Sequence, residues 1–253
     1  MYKLNEIGIP VVEHCNLNCK GCLHFCHIGQ EPFFYNINSY IKDIKQLKRF
    51  INYIDVIRLY GGEPLLHDDL FKFIDYSKNT FPKSNIEILT NGILITQMNE
   101  CLVKSIKKNN VKICWSIYPV INDIKFEETI AFLNDNDINY TFTKVEQFYA
   151  CYDFNGNINK DMAYLKCSGK YCHMLKDGKI SCCPAPMVGH HINKFGADVD
   201  FTDGMFDIYN ATNPSEIIDF LNKPHNACRY CSSPHFFNWE LQSQNVSLND
   251  WKI

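Results

Sequence analysis

Cys15, Cys19 and Cys22 stand in the spacing C-x3-C-x2-C within the run CNLNCKGCLHFC. Thiolates are soft ligands that favour zinc or iron–sulfur clusters. On a four-iron cluster, three cysteines leave one iron without a protein ligand, and a small molecule can coordinate there. A ferredoxin-type run needs a cysteine at position 16, which is Asn16, and no proline follows Cys26 in the overlapping C-x2-C-x3-C formed by Cys19, Cys22 and Cys26. A structural zinc site would instead pair two C-x2-C knuckles, for instance Cys19/Cys22 with Cys228/Cys231. Cys26 is a candidate free thiol beside the site.

The chain has 13 cysteines, an odd number, and its first residues lack the basic start and apolar run of an export signal. The expectation is a cytoplasmic protein whose cysteines serve metal or redox chemistry rather than disulfides. Six of them, Cys167, Cys172, Cys182, Cys183, Cys228 and Cys231, follow residue 150, while Cys101, Cys114 and Cys151 read as small buried hydrophobes. A formal charge of −3 gives no basic field for nucleic acid, and no apolar segment approaches membrane-spanning length. Lys42, Lys45, Lys48 and Arg49 read as the wet face of a helix.

Something must hold these cysteines in place. Strand-like runs at 7–12, 56–60, 86–90, 112–117 and 140–145 alternate with helical patterns, which is the rhythm of βα units feeding a parallel sheet. Ile37, Ile41, Ile44, Leu47 and Ile51 repeat at helical spacing. Leu70, Phe73, Ile74 and Phe81 suggest a second helix opened by Asp68 or Asp69, and two more cover 98–108 and 126–134. Such sheets place ligands at the carboxyl ends of their strands, where the cysteine run lies. The rhythm changes after Val145, so a boundary is placed near residue 150. Beyond it, 172–183 reads as a hairpin turning at Asp177-Gly178, and Asn213-Pro214 with Glu216 reads as a helix start. The tail from Phe236, with Trp239 and Trp251, is expected to pack on the barrel.

A second motif, RLYGGEPLLHDDL, places Gly61, Gly62, Glu63 and Pro64 just beyond the second strand. With C-x3-C-x2-C in the adjacent loop, the chain resembles the radical S-adenosylmethionine (SAM) superfamily. The resemblance implies an α/β fold, a partial (β/α) TIM-like barrel, over 1–150, and a 4Fe-4S cluster on Cys15, Cys19 and Cys22 whose unique iron takes SAM. Reductive cleavage of SAM in this family gives a 5'-deoxyadenosyl radical that removes hydrogen from substrate. Gly61, Gly62, Glu63 and Pro64 would bind the methionine part, with Glu63 accepting from its ammonium group, and Thr90, Asn91 and Ser116 would lie near the ribose. The family often has an aromatic residue just before the third cysteine. Here that residue is Gly21, and Phe25 is the substitute considered for contact with adenine.

Cys167, Gly178 and Cys183, followed by Cys228-x2-Cys231, resemble the shortened, twitch-like form of the SPASM extension of this superfamily. That implies an auxiliary 4Fe-4S cluster in 151–253 on Cys167, Cys183, Cys228 and Cys231, with Cys172 an alternate to Cys167 and Cys182 a weaker one to Cys183. By strand alternation Cys182 and Cys183 are not expected to ligate together. HFCHIGQEPF, NKFG, DIYNATNPSEIIDFLNKP and CRYC also look like a group of short radical SAM proteins from polysaccharide-type gene neighbourhoods. The expected reaction is oxidation or epimerisation of a small polar molecule, a sugar or sugar derivative, with an electron donor such as flavodoxin or ferredoxin and neither nucleic acid nor membrane as partner. Cys26 and Cys151 are candidate hydrogen donors for epimerisation. A peptide maturase, a glycyl-radical activase and a non-catalytic zinc-binding interaction protein are the alternatives.

Overall fold

The computed structural model describes residues 2–26, 28, 32–242 and 245–253; part of the HFCHIGQEPF stretch, His27 and 29–31, lies outside the described residues. Five parallel strands run side by side, β1 (Lys3–Val12), β2 (Tyr53–Gly61), β3 (Asn85–Thr90), β4 (Lys112–Ile117) and β5 (Asn139–Lys144). Their order in space is their order in sequence, so every strand ends at the same edge and delivers its following loop there. This is an α/β partial barrel.

Alternation sorts the two faces of the sheet. Ile7, Ile9, Ile57, Leu59, Ile86, Ile88, Ile113 and Trp115 are buried against helices α1 (Ile37–Lys48), α2 (Leu70–Thr80), α3 (Glu100–Asn109) and α4 (Asp123–Asp135). Asn36, Asn99 and Asn122 cap α1, α3 and α4 by accepting from backbone N–H groups of the first turn. The expected opening of α2 differs. Asp69 stands at its N-cap but caps no N–H, and its carboxylate pairs with Lys72 at 2.8 Å instead. Lys42 and Lys45 are exposed, as the wet-face reading requires, but Asp43 between them is buried. It accepts from Tyr35, Gly178 and Tyr209 and so bolts α1 to the later chain.

The other edge of β1 is covered by the hairpin turning at Asp177-Gly178. Strand β7 (Met174–Lys176) lies parallel to β1, with Gly8 opposite Met174, and β8 (Lys179–Ser181) and β9 (Met205–Asp207) extend the sheet to eight strands. The hairpin therefore continues the barrel sheet. Strand β6 (Gln147–Tyr152) spans residue 150 and pairs antiparallel with β10 (Cys231–Asn238) in a separate two-stranded sheet. Helices α5 (Lys160–Lys166), α6 (Pro184–Val188) and α7 (Pro214–Leu221) complete the fold, α7 capped by Asn213 as expected. A second core of Phe25, Ile28, Tyr152, Met174 and Trp251 lies apart from the main one. Among the described residues no helix is long and apolar enough to cross a membrane.

On the face away from the helices, charged residues cross the strands. Arg58 bonds Glu6 at 2.7 Å and Glu87 at 3.0 Å, and Lys112 also pairs with Glu87. Burial pushes the Glu87 carboxyl up, but hydrogen bonds from Lys112 and Arg58 outweigh it and hold its pKa below the usual carboxylate range. A folded-state pKa below the unfolded value gives stability that is present above the unfolded pKa and lost as pH falls through the folded one. Replacing Glu87 with Gln is expected to lower urea-unfolding stability at pH 7 by about 1–3 kcal/mol. The variant should also lose part of the wild-type decline below about pH 4.5; parallel acid limbs in the two proteins would contradict this.

Candidate active site at the strand ends

The loops after β1, β2, β3 and β4 meet around a cavity of about 390 Å³. Cys15, Cys19, Cys22 and Cys26 form one wall, and Gly61, Gly62, Thr90, Asn91 and Ser116 line it from the neighbouring strands. The structure thus brings together residues up to a hundred positions apart. Glu63 and Pro64 are buried and are not among the lining residues.

Within the C-x3-C-x2-C run, the Cys15 sulfur meets N–H donors. Cys15 Sγ accepts from Leu17 N at 3.4 Å and from Asn91 Nδ2 at 3.6 Å. Cys22, beside the Cys26 thiol and the backbone N–H groups of 24–26, is held below the ordinary cysteine value against burial. Cys26 is pushed the other way by its nearness to Cys22 and by burial. Its side chain lies beside Cys22 in the cavity lining. Three thiols on one wall, with N–H groups directed at the Cys15 sulfur, suit a cluster of net negative charge. Among the described residues no three His, Cys, Asp or Glu side chains are grouped to hold a single metal ion. The two C-x2-C knuckles sit in separate thiol neighbourhoods, Cys19 and Cys22 with Cys15, and Cys228 and Cys231 with Cys183.

Glu63 faces inward. Its Oε1 accepts from Thr90 Oγ1 at 2.7 Å and Leu65 N at 3.0 Å, and its Oε2 from Asn91 N at 2.8 Å. Glu63, the expected acceptor of a ligand ammonium, ties the β2 and β3 loops together. Burial raises its pKa to about 7 despite these donors. Gly61 and Gly62 are required by the chain's own packing as well. A Cβ on Gly61, where φ is +138°, would lie 1.9 Å from Val12 O, and one on Gly62 would lie 1.9 Å from His14 O. Trp115, which sequence reasoning missed, donates from Nε1 to Asn91 O at 3.0 Å and sets the turn that presents Asn91.

Gly21 has φ +65°, and a Cβ there would meet Asp250 O at 2.7 Å and Phe237 Cζ at 2.8 Å, so no aromatic side chain fits. Phe25 does not take its place. It is fully buried in the second core, with its ring 5.4 Å from Trp251. The aromatic lining comes from Tyr60, Tyr118, Phe148 and Tyr149. Phe148 and Tyr149 belong to β6, which carried no strand expectation. His24, also in the lining, has a buried Nδ1 without a partner and stands edge-on to Tyr60 at 5.1 Å.

The second thiol neighbourhood centres on Cys183, at the start of α6, with Cys167, Cys228 and Cys231 around it. Cys151 lies near Cys167 and Cys183 and packs half-buried against the second core, whereas Cys101 is exposed and not the buried hydrophobe expected. Cys172 lies near Glu6 and Arg58. The alternation argument for Cys182 and Cys183 lapses because β8 ends at Ser181; their sulfurs are 4.0 Å apart. Tyr60 is influenced by Cys172 and Cys183, and Tyr149 by Cys151, Cys167, Cys172 and Cys231, so both lining tyrosines border this second set.

Residues 9–118 match the family model of the Radical SAM superfamily. GTP 3',8-cyclase of Aliarcobacter butzleri (strain RM4018) is 31% identical over 121 residues, 44% of this chain and 35% of the relative. That of Clostridium botulinum (strain Hall) is 28% identical over 147 residues, 57% and 43%. The chain therefore spans less than half the length of these curated relatives. Among solved structures, BtrN in complex with AdoMet and 2-DOIA aligns at TM-score 0.56 and 16% identity over 92% of this chain and 95% of that one. Native anSMEcpe with bound AdoMet aligns at 0.59 and 13% over 89% and 82%. At such identities the likeness is one of fold.

Replacing Glu63 with Gln sets an amide N–H₂ against groups that are all donors, and is expected to cost about 1–3 kcal/mol. A carboxyl whose folded pKa is raised loses stability as pH rises from about 4.5 through 7. Thermal unfolding of the metal-free protein between pH 4.5 and 7.5 should show this decline in wild type and its loss in the variant. Identical slopes would refute the assignment.

Proposed function

We propose that this chain, whose residues 9–118 match the Radical SAM family model, is a radical SAM enzyme with a 4Fe-4S cluster and SAM that removes a hydrogen atom from a small polar substrate, a sugar or sugar derivative, leading to oxidation or epimerisation. Cys15, Cys19 and Cys22 hold the SAM-binding cluster in this reading, and Gly61, Gly62, Thr90, Asn91 and Ser116 shape the SAM site, with Glu63 and Pro64 supporting them from behind. The bound cluster and SAM supply the 5'-deoxyadenosyl radical; the protein orients them and keeps water from the cavity. Cys167, Cys183, Cys228 and Cys231 hold an auxiliary cluster, with Cys172 the alternate ligand. Flavodoxin or ferredoxin is the proposed class of electron donor.

The observation that carries this reading is that Cys15, Cys19 and Cys22 share one cavity at the strand ends with Gly61, Gly62, Thr90, Asn91 and Ser116. In this reading a substrate radical held there would have the auxiliary cluster as its electron acceptor. Loss of one further electron to the second site gives oxidation; return of a hydrogen atom from a thiol, with Cys26 in the wall, gives epimerisation. The solved neighbour BtrN carries 2-DOIA together with AdoMet and is nearly fully covered by this chain, which supports a small-molecule substrate.

After anaerobic reconstitution, wild type is expected to make 5'-deoxyadenosine from SAM, and the triple Ala variant of Cys15, Cys19 and Cys22 none. Continued production by that variant would refute the central assignment. Replacing Cys228 and Cys231 with Ala should remove about four of roughly eight irons per chain; an unchanged count would refute the auxiliary cluster. Deuterated sugars and cyclitols supplied with SAM should pass deuterium into 5'-deoxyadenosine and so identify the hydrogen taken.

A further inference from the structure

The cysteines form one wall of the cavity, and Gln147, Phe148 and Tyr149 of β6 reach it from the later chain. The rings there are held from behind. Tyr118, which follows β4, meets Phe148 edge-on with ring centres 5.9 Å apart and Trp239 of the tail at 5.4 Å, and Tyr149 packs on Phe236 of β10 at 5.8 Å. Pairing of β6 with β10, Phe148 opposite Phe237 and Tyr149 opposite Phe236, fixes the backbone under them. Phe148 is half-buried while Gln147 and Tyr149 are exposed, so this wall carries the open side of the cavity.

Among the described residues that line the cavity there is no Lys or Arg, and neither type occurs at the positions outside the described residues. The cations of the first four strands are committed to carboxylates: Lys3 to Asp55, Arg58 to Glu6 and Glu87, and Lys112 to Glu87. A phosphate placed against the β6 wall would lose water without meeting a cation, and the electron-rich faces of the rings repel it. A sugar or cyclitol ring has a C–H face that packs on such rings, and hydroxyls at its rim suited to the amide of Gln147 and the phenol groups of Tyr60 and Tyr118. We propose that Phe148, Tyr149 and Tyr118 form the substrate-binding wall and select a polyhydroxylated ring that bears no phosphate or other anionic group. GTP, for which the curated relatives are named, is thereby excluded as a substrate of this chain. The inference deepens the function proposed above and rests on its placing SAM and substrate in this cavity.

The test supplies the reconstituted full chain and SAM with deuterated D-glucose, D-galactose and myo-inositol, each beside its monophosphate, and with deuterated GTP, and reads deuterium in 5'-deoxyadenosine. The expected result is transfer from a neutral ring with kcat/KM at least about tenfold above that of its phosphate, and none from GTP. Equal or better use of a phosphorylated ring or of GTP overturns the proposal, as does transfer from no neutral ring. In these cases SAM cleavage that depends on Cys15, Cys19 and Cys22 keeps the function proposed above standing; absence of that cleavage overturns both. Two variants at the exposed Tyr149 probe the wall itself. Tyr149→Ala is expected to raise KM for the neutral ring about two- to tenfold with a smaller change in kcat. Tyr149→Arg sets a cation on the wall and is expected to narrow the gap between a ring and its phosphate. An unchanged KM in the first, or an unchanged gap in the second, places the selectivity elsewhere and overturns the proposal.

Discussion

A carboxylate with no access to water must find hydrogen-bond donors, and the site is arranged around one that does. Glu63 satisfies its two oxygens with Leu65, Thr90 and Asn91, so the loop after β2 and the turn after β3 hold a single relative position. Asn91, its carbonyl gripped by Trp115, then has its side-chain amide free to reach Asn16 at 2.7 Å and the Cys15 sulfur. Gly62 N donates to Val12 O and Glu63 N to His14 O, which draws in the exit of β1. Four strand ends are thereby locked together by groups that individually touch only their neighbours.

The loop from residue 13 to 26 has no strand partner of its own within the parallel sheet, and its backbone polar groups must be met elsewhere. The tail supplies several of them, at Asn18, Lys20 and Cys22. Phe25, at φ +54°, turns the chain into the second core against Tyr152 and Trp251. That core joins the first cysteine loop to β6 and the tail. The geometry of the first cysteine set therefore depends on residues that lie beyond the barrel in sequence.

What was legible in the sequence was local. The five parallel strands, the Asp177-Gly178 turn and the Asn213 cap each follow from spacing and residue type within a short window. The cysteine spacing and the GGEP segment pointed to the cavity for the same reason. The inward turn of Glu63 was not legible, because it depends on donors 27 and 28 positions away. Asp43 was hidden among lysines on a helix, since nothing in a helical pattern announces that a carboxylate will be met by Tyr35, Gly178 and Tyr209. The nearness of Cys151 to Cys167 and Cys183 was hidden because β6 finds its partner in β10, eighty positions on. Phe25 was misread because a residue beside a cavity in sequence can still face away from it.

The environments of the later cysteines separate two ligand choices that spacing leaves open. Cys172 lies beside Glu6, and a neighbouring carboxylate opposes the thiolate form that ligation requires. Cys167 has the Lys170 ammonium nearby, which favours a thiolate and opposes the effect of burial. Cys183 opens a short helix, and the Cys182 thiol beside it and burial both oppose its thiolate form. Glu6 is already committed to Arg58 at 2.7 Å, so it cannot swing clear of Cys172 without unpairing a partly buried guanidinium. Electrostatics thus favours Cys167 over Cys172 as the partner of Cys183, Cys228 and Cys231. It leaves Cys172 beside Tyr60, on the side of the second set that borders the cavity.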